Sequence, residues 1–272
     1  MARLHPFAAP VALLVALVAL AASTLHLGRP IQAVRALKMW RHSWLSREVL
    51  MFTLFANATA AYSATLWITL PASFNLALHL ASLPKLSAVL ALAIEGVNVV
   101  LPPYSVAFLG GLTVPCGIGG VGASARLYLA PGRPAWNSPF TVVEFYLTAA
   151  LLGSAGANVL SQASPLTQSA TIYAGVATIL AAGVGIVWLA RSAAHERRGT
   201  YNLLFTVLSN LVILRALFLG AGLLRIPFAQ SRWTAFPVAL LLLAGEFLSR
   251  YLFFVSVVPS NIATEYLSME AA

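Results

Sequence analysis

The sequence predicts an all-α fold, a polytopic transmembrane helical bundle of about seven spans. Hydrophobic residues make up 60% of its 272 residues and charged residues only 8%, whereas a soluble domain carries roughly 25% charged residues. The apolar runs are continuous and about 18 to 25 residues long, the length that a helix needs to cross a bilayer. Barrel strands would instead alternate apolar and polar residues. We therefore expect helices, and one membrane-embedded domain over residues 1–272.

The first three predicted spans cover Ala8–Leu25, Val49–Leu70 and Tyr104–Ala125. The first run is longer than the apolar core of a cleavable signal peptide, which has about 7–15 residues, so it is interpreted as a span; a signal peptide is the alternative. Pro71 ends the second run, because proline cannot continue a helix. The third run contains six glycines, and small residues let helix backbones approach one another closely in lipid.

The last four predicted spans are separated by segments of different composition. They cover Val142–Val159, Ile172–Leu189, Leu203–Leu219 and Ala235–Val258. A loop rich in proline and aromatic residues, Arg126–Pro139, precedes them, and a basic loop, Arg191–Arg198, divides them into two pairs. The third of these spans contains an arginine, and the fourth contains a glutamate and an arginine.

A further apolar run, Leu86–Leu101, raises the alternative of eight spans. It has 16 residues, below the usual spanning length of about 20. Without it, ten basic residues fall on one membrane face and four on the other; with it, each face has seven. Because a strong asymmetry is typical of membrane proteins, seven spans are favoured, with this run buried, re-entrant or at the interface.

The cysteine count and the net charge exclude several classes of function. Cys116 is the only cysteine, so neither an intrachain disulfide nor a cysteine-ligated iron–sulfur cluster is expected within the chain. The net charge is +9 and the isoelectric point is near 10.3. In so apolar a chain, this basic excess is expected to face lipid headgroups or an acidic protein partner rather than nucleic acid.

The sharpest candidate site joins the first two spans. His26 closes span 1 and Glu48 opens span 2, and a short connection would bring both to the same bilayer face. An imidazole and a carboxylate at one interface suit hydrogen bonding and proton exchange with a quinol head group. The alternative is structural: His26 caps a helix, and Glu48 pairs with Arg47 or Arg29.

Other ionisable and aromatic residues have both structural and functional interpretations. Glu246 and Arg250 lie four residues apart on one helical face, which predicts an internal ion pair that makes insertion tolerable, with Arg215 as a further member. Glu144 is interpreted as a carboxylate at a helix N-terminus. Aromatic and amide side chains of the proline-rich loop could line a head-group pocket or form an interfacial belt; they are Tyr128, Trp136 and Asn137.

Haem and metal sites are not expected. A b-type haem usually needs axial ligands such as paired histidines deep in a helical bundle. All five histidines fall in termini, loops or span ends: His5, His26, His42, His79 and His195. The sequence also contains no Walker loop, dinucleotide fingerprint or nucleophile elbow.

Four short motifs in order resemble those of the membrane-anchor subunits of dimethyl sulfoxide reductases. The segment Ser23–Pro30 contains "LHLG", and Trp44–Glu48 is similar to the family's "LS-x-E". The loop that contains Ala125–Tyr128 and Arg133–Ser138 resembles its arginine-tyrosine and "RPAWN" segments, and Gly245 to Arg250 resembles its "GE…R" helix. Together the motifs extend over nearly the whole chain.

This resemblance implies an anchor subunit without a cofactor of its own, in the cytoplasmic membrane of a prokaryote. Such anchors hold a molybdopterin catalytic subunit and an iron–sulfur subunit with four [4Fe-4S] clusters, and they oxidise menaquinol in anaerobic respiration. The family associates the histidine of "LHLG" and the glutamate of "LS-x-E" with the quinol site, and these match His26 and Glu48. Arg47, Tyr128, Trp136 and Asn137 are the further candidates for quinol binding.

Two departures from the family pattern leave the substrate open. The family usually has eight spans, so this chain is expected to lack the one before "LHLG", and Asn75–Pro103 is longer than the family's connection. An anchor of the polysulfide or nitrite reductase type is the first alternative. A small transporter is the second, and it would predict inverted repeats, which the sequence does not show.

Overall fold

The computed structural model describes residues 8–26, 40–69, 104–161 and 164–260, with the side chains of 22–26 and 68–69 excepted. All regular elements of these residues are helical. The helices are α1 Ala8–His26, α2 Trp44–Thr69, α3 Ser105–Leu127, α4 Pro139–Leu160, α5 Pro165–Arg191, α6 His195–Phe205, α7 Ser209–Arg225 and α8 Arg232–Val255, and a 3-10 turn, Ile226–Phe228, follows α7. The predicted all-α fold class is confirmed.

Six of the described helices are long and apolar enough to cross a membrane, namely α2, α3, α4, α5, α7 with its 3-10 turn, and α8. At a rise of about 1.5 Å per residue, α4 is about 33 Å long, close to the roughly 30 Å of the hydrocarbon core. Large apolar side chains face outward, such as Leu166, 78% exposed, and Trp233, 87% exposed. With the shorter apolar helix α1, the chain is a multi-pass membrane protein of about seven spans, as predicted. The run Leu86–Leu101 lies outside the described residues.

Four helices, α2, α4, α5 and α8, begin before the apolar runs that predicted them, and in α5 and α8 polar residues cap the N-terminus. Ser164 precedes Pro165, the first residue of α5, and its hydroxyl accepts a hydrogen bond from the Thr167 backbone N–H at 3.3 Å. Ser231 and Thr234 form a reciprocal capping box at the start of α8. Each cap satisfies backbone N–H groups that would otherwise have no partner within the helix.

The predicted span Leu203–Leu219 is confirmed with shifted bounds: the spanning helix is Ser209–Phe228, and Leu203–Phe205 belong to α6. Part of the predicted basic loop Arg191–Arg198 is also helical, because α6 starts at His195. At the break, the Thr206 hydroxyl donates to the Asn202 carbonyl at 2.7 Å and the Ser209 hydroxyl donates to the Thr206 carbonyl at 3.3 Å. Such local side-chain bonds compete with the helical hydrogen-bond ladder, which an apolar run does not reveal.

The helices fall into two compact units. The N-terminal unit lies within His5–Ala123 and contains α1, α2 and most of α3. The C-terminal unit starts at Ser124 and contains α4 to α8. A single membrane-embedded domain over residues 1–272 stays a prediction.

Aromatic side chains occupy the space beside glycines in the N-terminal unit. A Cβ atom added at Gly110 would lie 3.1 Å from the ring of Tyr62, and one added at Gly120 would lie 2.8 Å from the ring of Phe52. The glycines belong to α3 and the rings to α2, so the missing side chains let the two helices approach closely, as small residues do in membranes.

Leucines fill the corresponding space in the C-terminal unit. A Cβ at Gly222 would lie 2.7 Å from Leu242 Cδ2, and one at Gly245 would lie 2.7 Å from Leu219 Cδ2. The contacts are reciprocal between α7 and α8, since each helix provides one glycine and one leucine. Both leucines belong to the buried core of this unit, which α4 joins through Leu151.

Candidate functional site

The first two predicted site residues lie at helix ends of the N-terminal unit. His26 is the last residue of α1, and its side chain lies outside the described residues. Glu48 lies near the start of α2 and is half-buried. Since α1 and α2 pack against each other, the two positions belong to neighbouring helices. Their shared role in quinol binding stays a prediction.

Arg47 is held by the backbone of the turn that leads into α2. Its Nε donates to the Trp40 carbonyl at 3.0 Å and its Nη2 to the Arg41 carbonyl at 2.7 Å. The guanidinium also lies 4.2 Å above the ring of Trp44. These contacts fix the entry to α2, so Arg47 is placed to position Glu48 in addition to any contact with a ligand.

An aromatic cluster lies in the C-terminal unit, where the proline-rich loop meets α4 and α8. Its members are Tyr128, Trp136, Phe145, Phe253 and Phe254, with neighbouring ring centroids 5.1–6.2 Å apart. Trp136 stacks on Phe253 at 5.1 Å, and its Nε1 donates to the Phe253 carbonyl at 2.8 Å. Thus Tyr128 and Trp136 are brought together, whereas Asn137, also a predicted site residue, is exposed.

The predicted pair Glu246 and Arg250 is connected through a hydroxyl group that the sequence did not single out. Thr148 of α4 donates to Glu246 Oε2 at 2.5 Å and accepts from Arg250 Nη2 at 3.0 Å. Glu246 is only 2% exposed, and its Oε1 is buried without a hydrogen-bond partner. Arg250 lies 3.8 Å above the ring of Phe145, which joins this polar network to the aromatic cluster.

Glu144 and Arg215 extend the polar network. Arg250 Nη2 donates to the Glu144 carbonyl at 3.4 Å, and the Glu144 carboxylate interacts electrostatically with both Arg215 and Arg250. Glu144 lies in the second turn of α4 rather than at its N-terminus, so the interpretation as a terminal carboxylate is wrong. Arg215 lies in the middle of α7, and its Nε is buried without a hydrogen-bond partner.

A cavity of about 110 Å³ opens beside this network, and α4, α5, α6, α7 and α8 all contribute to its lining. Glu144, Arg215 and Ser249 supply polar groups to its wall, and Trp136 is the predicted loop aromatic residue that lines it. Further aromatic walls come from Phe140, Trp188 and Phe253. The wall thus combines ring faces with one carboxyl and one guanidinium group, an arrangement that suits a planar ligand with polar ends.

Sequence reasoning found the ionisable members of this region but not their assembly. Glu144 and Arg215 stood out as ionisable residues within apolar runs, but nothing in the sequence placed them in one wall. Thr148, four residues after Glu144, was detectable only as a polar residue in an apolar helix. Among the residues that the structure describes, no group of three histidine, cysteine or acidic side chains is placed to hold a metal ion.

Comparisons with known proteins agree with the resemblance drawn from the motifs. The family model for the DMSO reductase anchor subunit matches residues 7–84 and 108–255. A sulfite dehydrogenase subunit of Allochromatium vinosum is 31% identical over 202 residues, which is 69% of this chain and 50% of the relative. The chain therefore spans about half the length of the curated relative that it matches. No solved structure matches the chain significantly.

Proposed function

The chain belongs to the DMSO reductase anchor subunit family, and from this membership we propose that it anchors a molybdopterin oxidoreductase to the membrane. It binds and oxidises menaquinol and passes the electrons to a partner subunit with four [4Fe-4S] clusters. That subunit passes the electrons on to a molybdopterin catalytic subunit. The complex lies in the cytoplasmic membrane of a prokaryote. The observation that carries this proposal is the family match, which includes residues of both units.

The proposed site of quinol oxidation contains His26 and Glu48. Oxidation of a quinol releases two electrons and two protons, so the site needs a group that accepts a hydroxyl proton. Glu48 accepts it, directly or through water, while His26 hydrogen-bonds a quinol oxygen. The packing of α1 against α2 supports this assignment, because it makes the helices that end at His26 and begin before Glu48 neighbours.

Arg47 and residues of the proline-rich loop are further candidates for quinol binding. The two carbonyl bonds of Arg47 fix the backbone just before Glu48, which limits where the carboxylate can lie. Of the loop residues, Trp136 contributes to a cavity wall and Tyr128 packs edge-on against Trp136. Asn137 is exposed, where it is accessible to a ligand or to a partner subunit.

Quinol oxidation by the assembled complex tests this proposal. We expect Glu48→Gln to lower the rate of quinol oxidation roughly 100-fold, the size typical of a lost proton acceptor. We expect His26→Ala to lower this rate as well, because it removes a hydrogen bond that holds the quinol beside Glu48. Reduction of the terminal acceptor by an artificial donor to the iron–sulfur subunit should be unchanged, which would show that the complex still assembles. Glu196→Gln, which removes a carboxylate from α6, is the matched control. Normal quinol oxidation by both site variants would refute the assignment.

One observation favours a second candidate, in which electrons flow in the opposite direction. The relative at 31% identity is named as a sulfite dehydrogenase subunit, and a dehydrogenase complex delivers electrons instead of consuming them. The same site would then reduce a quinone, taking two electrons from the partner and two protons from the site to form a quinol. Assays of the assembled complex with quinol and with quinone distinguish the two directions.

A further inference from the structure

The cavity of the C-terminal unit has the size of one six-membered ring. Its volume is about 110 Å³. An engineered protein cavity of about 150 Å³ takes up one benzene molecule, so this space encloses a single ring with small substituents, and its open side leaves room for a fused second ring outside it.

Aromatic side chains surround this space. Trp136, Phe140, Trp188 and Phe253 all contribute to the wall, and the rings of Phe140 and Trp188 pack against each other at 5.4 Å. Aromatic faces favour a planar ring as a neighbour, because offset-stacked and edge-to-face arrangements are both attractive. The walls therefore indicate a flat, unsaturated ligand.

The polar groups of the wall supply both a donor and an acceptor. Arg215 presents a guanidinium whose Nε is buried without a partner, and buried donors of this kind are rare in proteins. A guanidinium donates to a carbonyl or hydroxyl oxygen, and a carboxyl group such as that of Glu144 accepts from a hydroxyl. A carboxyl group beside the guanidinium in the same wall also disfavours an anionic ligand such as a phosphate.

We infer that this cavity binds one ring of a quinone or quinol head group, with Arg215 and Glu144 hydrogen-bonding its oxygens. The inference rests on the proposed function, since it takes the same substrate class as the ligand. It adds a binding site in the C-terminal unit to the residues His26 and Glu48 of the N-terminal unit. It also gives Trp136 a definite place, as one wall of the site.

Photolabelling of the wild-type complex tests this inference without any substitution. The probe is an azido-substituted naphthoquinone, and labelled peptides are identified by mass spectrometry. We expect label within residues 135–144, 182–189 and 249–257, reduced by excess unlabelled menadione. Label confined to α1 and α2 would overturn the inference and leave the proposed function standing. A complex that takes no specific label at all would contradict both.

Matched arginine variants give a second test. Arg215→Gln removes the guanidinium from the cavity wall, whereas Arg225→Gln removes an exposed guanidinium from the end of the same helix. We expect the dissociation constant for menadione at the labelled cavity peptides to rise at least 10-fold in Arg215→Gln and to stay unchanged in Arg225→Gln. Equal labelling of the cavity peptides in both variants would overturn the role of Arg215.

Discussion

The two units of the protein place their ionisable groups differently. In the N-terminal unit, the described ionisable groups around the proposed quinol site lie near the start of α2, where Arg47 bonds to backbone carbonyls and Glu48 is half-buried. In the C-terminal unit, Glu246, Arg250 and Glu144 lie within membrane-spanning helices and are linked by hydrogen bonds and charge. Among the residues that the structure describes, the charged groups of the N-terminal unit therefore lie near a helix end, whereas the C-terminal unit also has charged groups inside its spans.

This difference shows which polar side chains need partners from other helices. A side chain at a helix end can reach the headgroup region, where water satisfies it. A charged side chain in the middle of a span cannot, so it is tolerated only beside a partner of opposite charge or a hydrogen-bonding group. Thr148 fulfils this need for Glu246 and Arg250 together, and the cavity occurs beside the same network.

The largest expected effect comes from breaking the buried network. Arg250→Met leaves Glu246 and Glu144 without that guanidinium, and loss of one partner of a buried pair typically costs about 3–5 kcal/mol. We expect the free energy of unfolding, measured in mild detergent with denaturant, to fall by about that amount. Arg232→Met is the control, because Arg232 is exposed at the start of the same helix.

A double variant separates lost charge balance from lost packing. Combining Glu246→Gln with Arg250→Met removes both charges, so it should be more stable than Arg250→Met alone. If Arg250→Met proves as stable as Arg232→Met, the distinction between charge inside one unit and charge at the ends of the other does not hold.

An intermediate effect is expected where a glycine meets the buried core of the C-terminal unit. Gly222→Ala would place a Cβ 2.7 Å from Leu242 Cδ2, and Leu242 is fully buried, so a shift of its side chain disturbs the packed core. We expect a net loss of about 1–2 kcal/mol, since overpacking costs about 1–3 kcal/mol and alanine regains up to about 1 kcal/mol of helix propensity. Gly220→Ala on the same helix meets nothing within 4 Å and should be neutral or stabilising in the same unfolding assay.

The smallest effect is expected at the equivalent contact of the N-terminal unit. Gly120→Ala would place a Cβ 2.8 Å from Phe52, but this ring is only half-buried and can tilt toward lipid. We expect the unfolding free energy to stay within about 0.5 kcal/mol of wild type, because the gain in helix propensity offsets the strain. Gly111→Ala, with nothing within 4 Å, is the matched control. A loss as large as that of Gly222→Ala would show that both units pack equally rigidly.

Much of the fold could be predicted because lipid imposes a simple rule on the sequence. A span must be apolar over the thickness of the bilayer and must satisfy its own backbone, so composition and run length reveal it. The prediction failed where hydropathy carries no information. The break at Thr206 depends on hydroxyl groups bonding to local carbonyls, and the early starts of α5 and α8 depend on serine caps.

The candidate site, like the fold, could be predicted from the sequence only in part. The ionisable residues in or beside spans were visible in the sequence, because such residues are costly in lipid and need a reason to be there. Their partners were not visible, since Thr148 is 98 residues from Glu246 and 102 residues from Arg250. The sequence by itself determined an all-helical membrane protein with charged residues in particular spans. Only the tertiary structure decided that Glu144 and Arg215 line one cavity, because helix packing brings together side chains that are distant in the chain.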